Sequence, residues 1–223
     1  MNCLYTKKEL RELLTKQLSN FFFLDSHETS LIEKYVDHAL VRCERCFKRV
    51  KNKYYQKNQT TYFNPLHGCQ YSLFLYYLAN SIFVKENARE LCDKIYLLSK
   101  ILSGADLYYE INLPNVVTFD HPLGAIMGRA EYSDFFSFSQ GCTVGNNKGI
   151  YPTFGTSVFM LSNSKVIGDC VIGDNVIISA GTYIKDTSIP SNSLVFGEGP
   201  NLIIKENRED YVKAYAEKVF RYE

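Results

Sequence analysis

Large apolar residues recur at six-residue intervals from Phe154, with Met160, Val166, Ile172, Ile178 and Ile184 following in step. Four residues after each stand Val158, Ser164, Cys170, Val176, Thr182 and Ser188, most of them small. The same comb appears upstream at Ile126, Tyr132, Phe138 and Val144, with Ala130, Phe136 and Cys142 in the fourth places. Neither the 3.6-residue period of a helix nor the alternation of an ordinary strand generates this pattern. A period of six means a short strand plus a turn, with one large side chain sent inward each time. Three such units, about 18 residues, close one rung of a triangular coil. Glycine and asparagine lie between the teeth of the comb, where corners need positive φ. Between Val144 and Phe154 the step is not a multiple of six, so "GNNKGIYPT" (145–153) is expected to leave the coil as a loop, the first place to look for function.

Residues 1–104 read differently. "TKKELRELLTKQLSNFFFL" has apolar positions at three- and four-residue spacing, with Thr6 and Glu9 in a capping-box arrangement. "SHETSLIEKYVDHALVRCERCFKRVKNKYYQ" predicts a second helix with Ser26 and Glu28 near its start, "NPLHGCQYSLFLYYLANSIFV" a third and "ENARELCDKIYLLSKIL" a fourth, which Gly104 would stop. No Gly/Pro/Ser-rich linker separates this half from the coil. The chain is thus read as α+β: an all-helical domain over residues 1–104, a triangular β-solenoid over 105–205, and a short C-terminal helix over 206–223.

The 25 basic and 24 acidic residues nearly cancel, which gives no net-charge case for a nucleic-acid or anionic-membrane partner. The most apolar stretch, "YSLFLYYLANSIF" (71–83), falls short of the ~20 residues that span a bilayer. The N-terminus is charged and amphipathic, without the apolar centre of a signal peptide. Seven cysteines, an odd number, fit reduced thiols in the cytoplasm. "CERC" (43–46) lies on the second helix with no second pair, so it is read as structural, and Cys142 and Cys170 as core.

One histidine stands out. His121 is the only one in the C-terminal two thirds of the chain; it follows Asp120 and sits where the upstream comb breaks off. Imidazole titrates near neutral pH and serves as a general base, whereas a histidine closing the first rung would be merely structural.

The comb resembles the hexapeptide-repeat acyltransferases of the left-handed β-helix type, and a helical half ahead of it resembles the serine O-acetyltransferases in particular. In that family an Asp-His pair opens the segment before the comb, where Asp120 and His121 fall. A second catalytic acid stands fifteen residues upstream, the position of Asp106. The family's Gln-x-x-Thr-x-Gly stretch is present as "QGCTVG" (140–145), its Gly-Ala-Gly turn as "SAGT" (179–182), and its terminal Gly-x-Pro element loosely in "GEGPN" (197–201). The resemblance implies direct acetyl transfer from acetyl-CoA to a hydroxyl, without metal. His121 would be the base and Asp106 the carboxylate that fixes its tautomer. Asp120 and Tyr151 would face the acceptor, and Gly145, Ser162, Lys165 and Ala180 the CoA, with an oxyanion N–H near Gly145. A homotrimer, or a dimer of trimers, is implied as well.

Departures bear on the acceptor. Where the family carries an Arg-His pair for the serine carboxylate, this chain reads Ile150-Tyr151. The acidic residue that the family's helical domain offers to the amino group has no counterpart in "KNKYYQKNQTTYF" (51–63). The lost pair favours a sugar hydroxyl of a surface polysaccharide or its precursor, while the helical half favours serine. A non-catalytic hexapeptide scaffold is the alternative from another class. His67 is read as structural or as lining an acceptor pocket, and Tyr108 and Tyr109 likewise as packing residues or a pocket border.

Overall fold

The computed structural model describes residues 1–222 and divides into two compact units, residues 1–48 with 52–110 and residues 49–51 with those from 111 onward.

The first unit holds four helices: α1 (Lys7–Phe21), α2 (Ser26–Phe47), α3 (Gly68–Glu86) and α4 (Arg89–Ser103). Helix α1 begins where its sequence says it should. The Glu9 N–H donates to Thr6 Oγ1 at 3.2 Å, and the Thr6 N–H donates to Glu9 Oε2 at 2.8 Å. These two bonds satisfy backbone donors that a helix start leaves open. Leu10, Leu14 and Leu18, four apart, form its fully buried stripe. Helix α2 is capped the same way by Asp25 and Glu28, one residue ahead of the expected start. Its end differs more. The helical period runs on toward Gln56, yet the helix stops at Phe47, because residues 49–51 are drawn into backbone pairing with the far end of the chain. The Lys51 N–H donates to the Val219 carbonyl at 2.7 Å, and the Arg221 N–H to that of Arg49 at 2.7 Å. Residues 53–63 then form a short 3₁₀ turn (Lys53–Tyr55) and a hairpin of Gln56–Lys57 and Thr60–Phe63. Every residue of α3 from Gln70 to Ile82 is buried, so this helix is the centre of its unit. Helix α4 stops at Gly104, whose φ of 67° suits glycine.

The second unit is a three-faced parallel coil of five turns. Its longest face stacks Val117–Asp120, Phe136–Ser139, Val158–Met160, Val176–Ile178 and Ser193–Phe196 in parallel, with Ile203–Lys205 antiparallel at the end. A second face carries Ile126–Met127, Thr143–Gly145, Lys165–Ile167 and Tyr183–Lys185; the third carries Glu131–Tyr132, Thr153–Phe154 and Val171–Ile172. The comb is the core: Phe154, Met160, Val166, Ile172, Ile178 and Ile184 are at most 1% exposed. Val166 pairs with Ile184 and Phe154 with Ile172, the 18-residue rung expected from the period. Phe138 pairs with Met160 across a longer rung, the extra residues forming the 145–153 loop. Cys142 and Cys170 are buried in the interior, and all seven cysteines are free thiols.

The comb fails at both ends. Ile126 is 47% exposed, and Met127 takes the inward place opposite Val144. Ser188 is exposed, and Ile189 points inward opposite Ile172. In each case the rung is one residue short of 18, which moves the inward phase by one position. Tyr132 is half-buried and stacks on Phe154 at 5.4 Å between ring centroids.

Corners are held by close backbone contact. A Cβ on Gly173 would lie 2.5 Å from the Ser191 backbone nitrogen and 2.9 Å from its Cα. Gly173→Ala is therefore expected to force two rungs apart and lower stability by about 1–3 kcal/mol. Urea unfolding of the two proteins checks this, and an unchanged midpoint would show that the corner relaxes freely. Helix α5 (Glu209–Val219) docks on the coil through Val212, Ala216 and the following Phe220, all buried. Tyr215 meets the outward-facing Phe159 edge to face at 5.1 Å.

Candidate active site

His121 ends the strand Val117–Asp120 and enters the first corner of the coil with φ of 49°. A left-handed conformation costs a residue with a Cβ about 1–2 kcal/mol. It persists here because the corner is over-determined. The Leu123 N–H donates to the His121 carbonyl at 2.7 Å, the Ala125 N–H to that of Pro122 at 2.9 Å, and the Gly141 N–H of the next rung to that of Leu123 at 3.0 Å. The same left-handed corner recurs in the coil at Phe135, Ser157 and Asn163, so it sets where the ring is presented; what distinguishes this corner is an exposed imidazole beside an exposed carboxylate. Asp120 pairs in register with Ser139, and its carboxylate, after burial itself, raises the pKa of the Tyr215 phenol on α5.

The corner that begins at His121 runs straight up the coil. Asn163 donates its N–H to the Gln140 carbonyl at 2.8 Å, and Gly181 to that of Ser162 at 2.9 Å. Gln140, Ser162 and Ala180 thus occupy one column, above the corner that His121 opens. With rungs about 4.8 Å apart, Ser162 and Ala180 sit roughly 10 and 14 Å along the axis from the His121 level. The Gly181 φ of 72° allows the "SAGT" turn, which the Thr182 N–H closes on the Ser179 carbonyl at 3.1 Å. On the adjoining face Lys165 pairs with Thr143 and Gly145 with Ile167, which leaves the Lys165 side chain exposed. Ser162, Lys165 and Ala180 are therefore brought to one edge of the coil, and Gly145 to the neighbouring strand.

The 145–153 loop is tighter than an excursion. Asn147 and Ile150 exchange both backbone hydrogen bonds, at 3.1 and 3.0 Å. Lys148 and Gly149 between them have φ of 53° and 82°, a two-residue turn of the I′ kind. The Asn147 side chain donates to Asp186 Oδ2 at 2.6 Å and ties the loop to a corner further along the coil. Ile150 is 50% and Tyr151 37% exposed. The tie between Asn147 and Asp186 has no local signal, since 39 residues separate the partners.

Asp106 belongs to the other unit. Its Oδ1 accepts from the Tyr96 hydroxyl at 2.7 Å and its Oδ2 from Lys100 Nζ at 2.6 Å, so both oxygens are oriented. The pairing raises the Lys100 pKa, while the Tyr96 phenol is raised by burial first and then by this bond. In the same unit Tyr109 is buried and donates to Asp93 Oδ1 at 2.9 Å, and Tyr108 donates to Tyr109 at 3.1 Å. His67 caps α3 through its ring nitrogen. Among the described residues no three His, Cys, Asp or Glu side chains are placed to hold a metal ion.

No family model matches the chain. Over 105 residues it is 30% identical to the serine acetyltransferase of Synechococcus elongatus, which covers 45% of this chain and 43% of that one. The chain spans about half the length of the first curated relatives it matches. Among solved structures, the serine acetyltransferase of Vibrio cholerae superposes with a TM-score of 0.67 at 16% identity, over 92% of this chain and 83% of that one. That of Brucella abortus in complex with coenzyme A superposes with a TM-score of 0.61 at 17% identity, over 89% and 74%. The fold likeness covers most of both chains. The chain is a hexapeptide-repeat β-helix protein by fold, with a sequence distantly similar to the serine acetyltransferases.

Proposed function

We propose that this protein transfers an acetyl group from acetyl-CoA directly to an acceptor hydroxyl. The observation that carries the reading is His121, exposed beside the exposed Asp120 at the foot of the Gln140–Ser162–Ala180 column. A thioester donor laid along that edge, past Ser162, Lys165 and Ala180, brings its reacting end to the imidazole. The Brucella relative's coenzyme A complex supports CoA as the carrier.

In this reading the imidazole takes the acceptor's hydroxyl proton as the oxygen attacks the thioester carbon, and the departing thiolate is protonated in turn. Asp106, matched to the family's second acid, fixes the tautomer and stabilises the imidazolium. A backbone N–H in the Gly145 bend receives the oxyanion. A homotrimer assembled through the coils belongs to the same reading.

For the acceptor, a neutral polyol fits better than serine. Gripping a carboxylate calls for charge-assisted donors, and Ile150 offers none. The half-exposed Tyr151 offers a ring face and one hydroxyl. Losing a bidentate arginine contact weakens binding about 30- to 1000-fold. CoA release measured with acetyl-CoA and a panel of sugars, polyols and L-serine is expected to show turnover on a sugar hydroxyl, with serine poorly saturating. A KM for L-serine below about 1 mM with ordinary turnover overturns the acceptor assignment. No CoA release with any hydroxyl overturns catalysis itself and leaves a scaffold.

A further inference from the structure

Near-zero net charge conceals a basic run in the sequence, of which Lys48 pairs with Glu44 at 3.5 Å and Lys51 bonds the Glu217 carbonyl, while Lys53 and Lys57 stand on the 53–63 hairpin. Six of the 25 basic residues fall within residues 45–57, and none of the 24 acidic residues lies between Arg45 and Lys85. Part of that basic stretch is the 53–63 hairpin of the first unit. Its inner side is anchored: Tyr55 packs edge to face on Phe47 at 4.8 Å, Phe63 is fully buried, and the buried Gln70 donates to the Tyr54 carbonyl at 2.8 Å. Its outer side presents Lys53, Tyr54 and Lys57. The Lys53 ammonium lies over the Tyr54 ring at 5.1 Å and that of Lys57 over the Tyr62 ring at 5.2 Å, aromatic rather than carboxylate partners. Beside them the turn 64–67 holds Leu66 out at 71% exposure. That turn is closed by the His67 N–H on the Asn64 carbonyl at 2.9 Å and by the Leu66 N–H on Asn64 Oδ1 at 2.9 Å. The His67 ring, next in the chain, is 5.4 Å from that of Tyr54, itself 54% exposed.

We infer that this hairpin and turn form a docking surface for an anionic lipid bilayer. A rigidly displayed leucine and tyrosine flanked by lysines match the headgroup layer. There the ammonium groups meet lipid phosphates while the aliphatic and aromatic tips enter the interface. A duplex nucleic acid would instead favour arginine forks and offers nothing to an exposed leucine. The attachment inferred is peripheral, through this surface; among the described residues no helix is long and apolar enough to cross a membrane. This inference does not depend on the acetyl-transfer reading.

Co-sedimentation of the full chain with phosphatidylcholine vesicles, with and without phosphatidylglycerol, tests it. Partition onto the anionic vesicles only is expected, lost as salt rises from about 0.05 to 0.5 M. Each surface lysine contributes about fivefold, so Lys53→Gln with Lys57→Gln should lower the partition about 25-fold, with an unchanged thermal melt. Leu66→Ser should weaken it without altering its salt dependence. Equal partition onto neutral vesicles, none at low salt, or wild-type partition by the double variant would overturn the inference. So would retention on heparin without retention on vesicles, which would identify a soluble polyanion as the partner.

Discussion

His121→Ala is expected to lower acetyl transfer about 10²- to 10⁴-fold, the usual cost of removing a general base. The substitution is a clean one for this site. Alanine also carries a Cβ, so the left-handed strain at φ 49° is kept, and the hydrogen bonds of the corner come from backbone atoms that the change leaves in place. The ring is exposed, so no cavity forms. Lost activity with an unaltered melt therefore reports on the imidazole alone. Steady-state CoA release with a verified acceptor is the measurement, and a variant with wild-type kcat overturns the assignment. Asp106→Asn should act in the same direction and more on kcat than on KM, because it changes tautomer and charge rather than binding. Its pair with Lys100 is partly solvated, with side chains 46% and 26% exposed, so the accompanying loss of stability is small.

The largest loss of stability is expected from Phe136→Ala. Phe136 is fully buried at the centre of an aromatic stack that crosses rungs. Its ring lies 5.1 Å from Tyr132, 5.2 Å from Phe154 and 6.2 Å from Phe138. Removing it leaves a void walled by stiff rings and strands that cannot close on it, so the upper part of the usual 3–5 kcal/mol range applies. Phe138, itself stacked on Phe119 at 4.8 Å, would lose a neighbour at the same time. Thermal unfolding followed by circular dichroism should show a midpoint lowered by on the order of 10 °C. A shift of only a degree or two would mean that the neighbouring rings slide into the gap.

Both predictions rest on features that the amino-acid chain itself displays. A six-residue comb is legible because a β-helix repeats one local environment per face, so each large side chain answers to the same requirement as the residue a rung below. The caps of α1 and α2 are equally local, since Thr6 with Glu9 and Asp25 with Glu28 are complete within four residues. His121 is conspicuous because it is isolated and falls at the comb's edge.

What the tertiary structure alone decided involves partners far apart in sequence. The inward phase at Ile126 and Ser188 slips because a rung's length is set by how its corner meets the rung beside it. Helix α2 ends at Phe47 although its period continues, because residues 49–51 gain strand-like bonds with residues 219–221 that outweigh a further turn of helix. The I′ turn of the 145–153 loop is held by Asp186, and the charge of Asp120 acts on the Tyr215 phenol of a helix far along the chain. The six-residue comb and the helical period determined which residues form the core; chain closure over long distances decided where the corners and the 145–153 loop are tied.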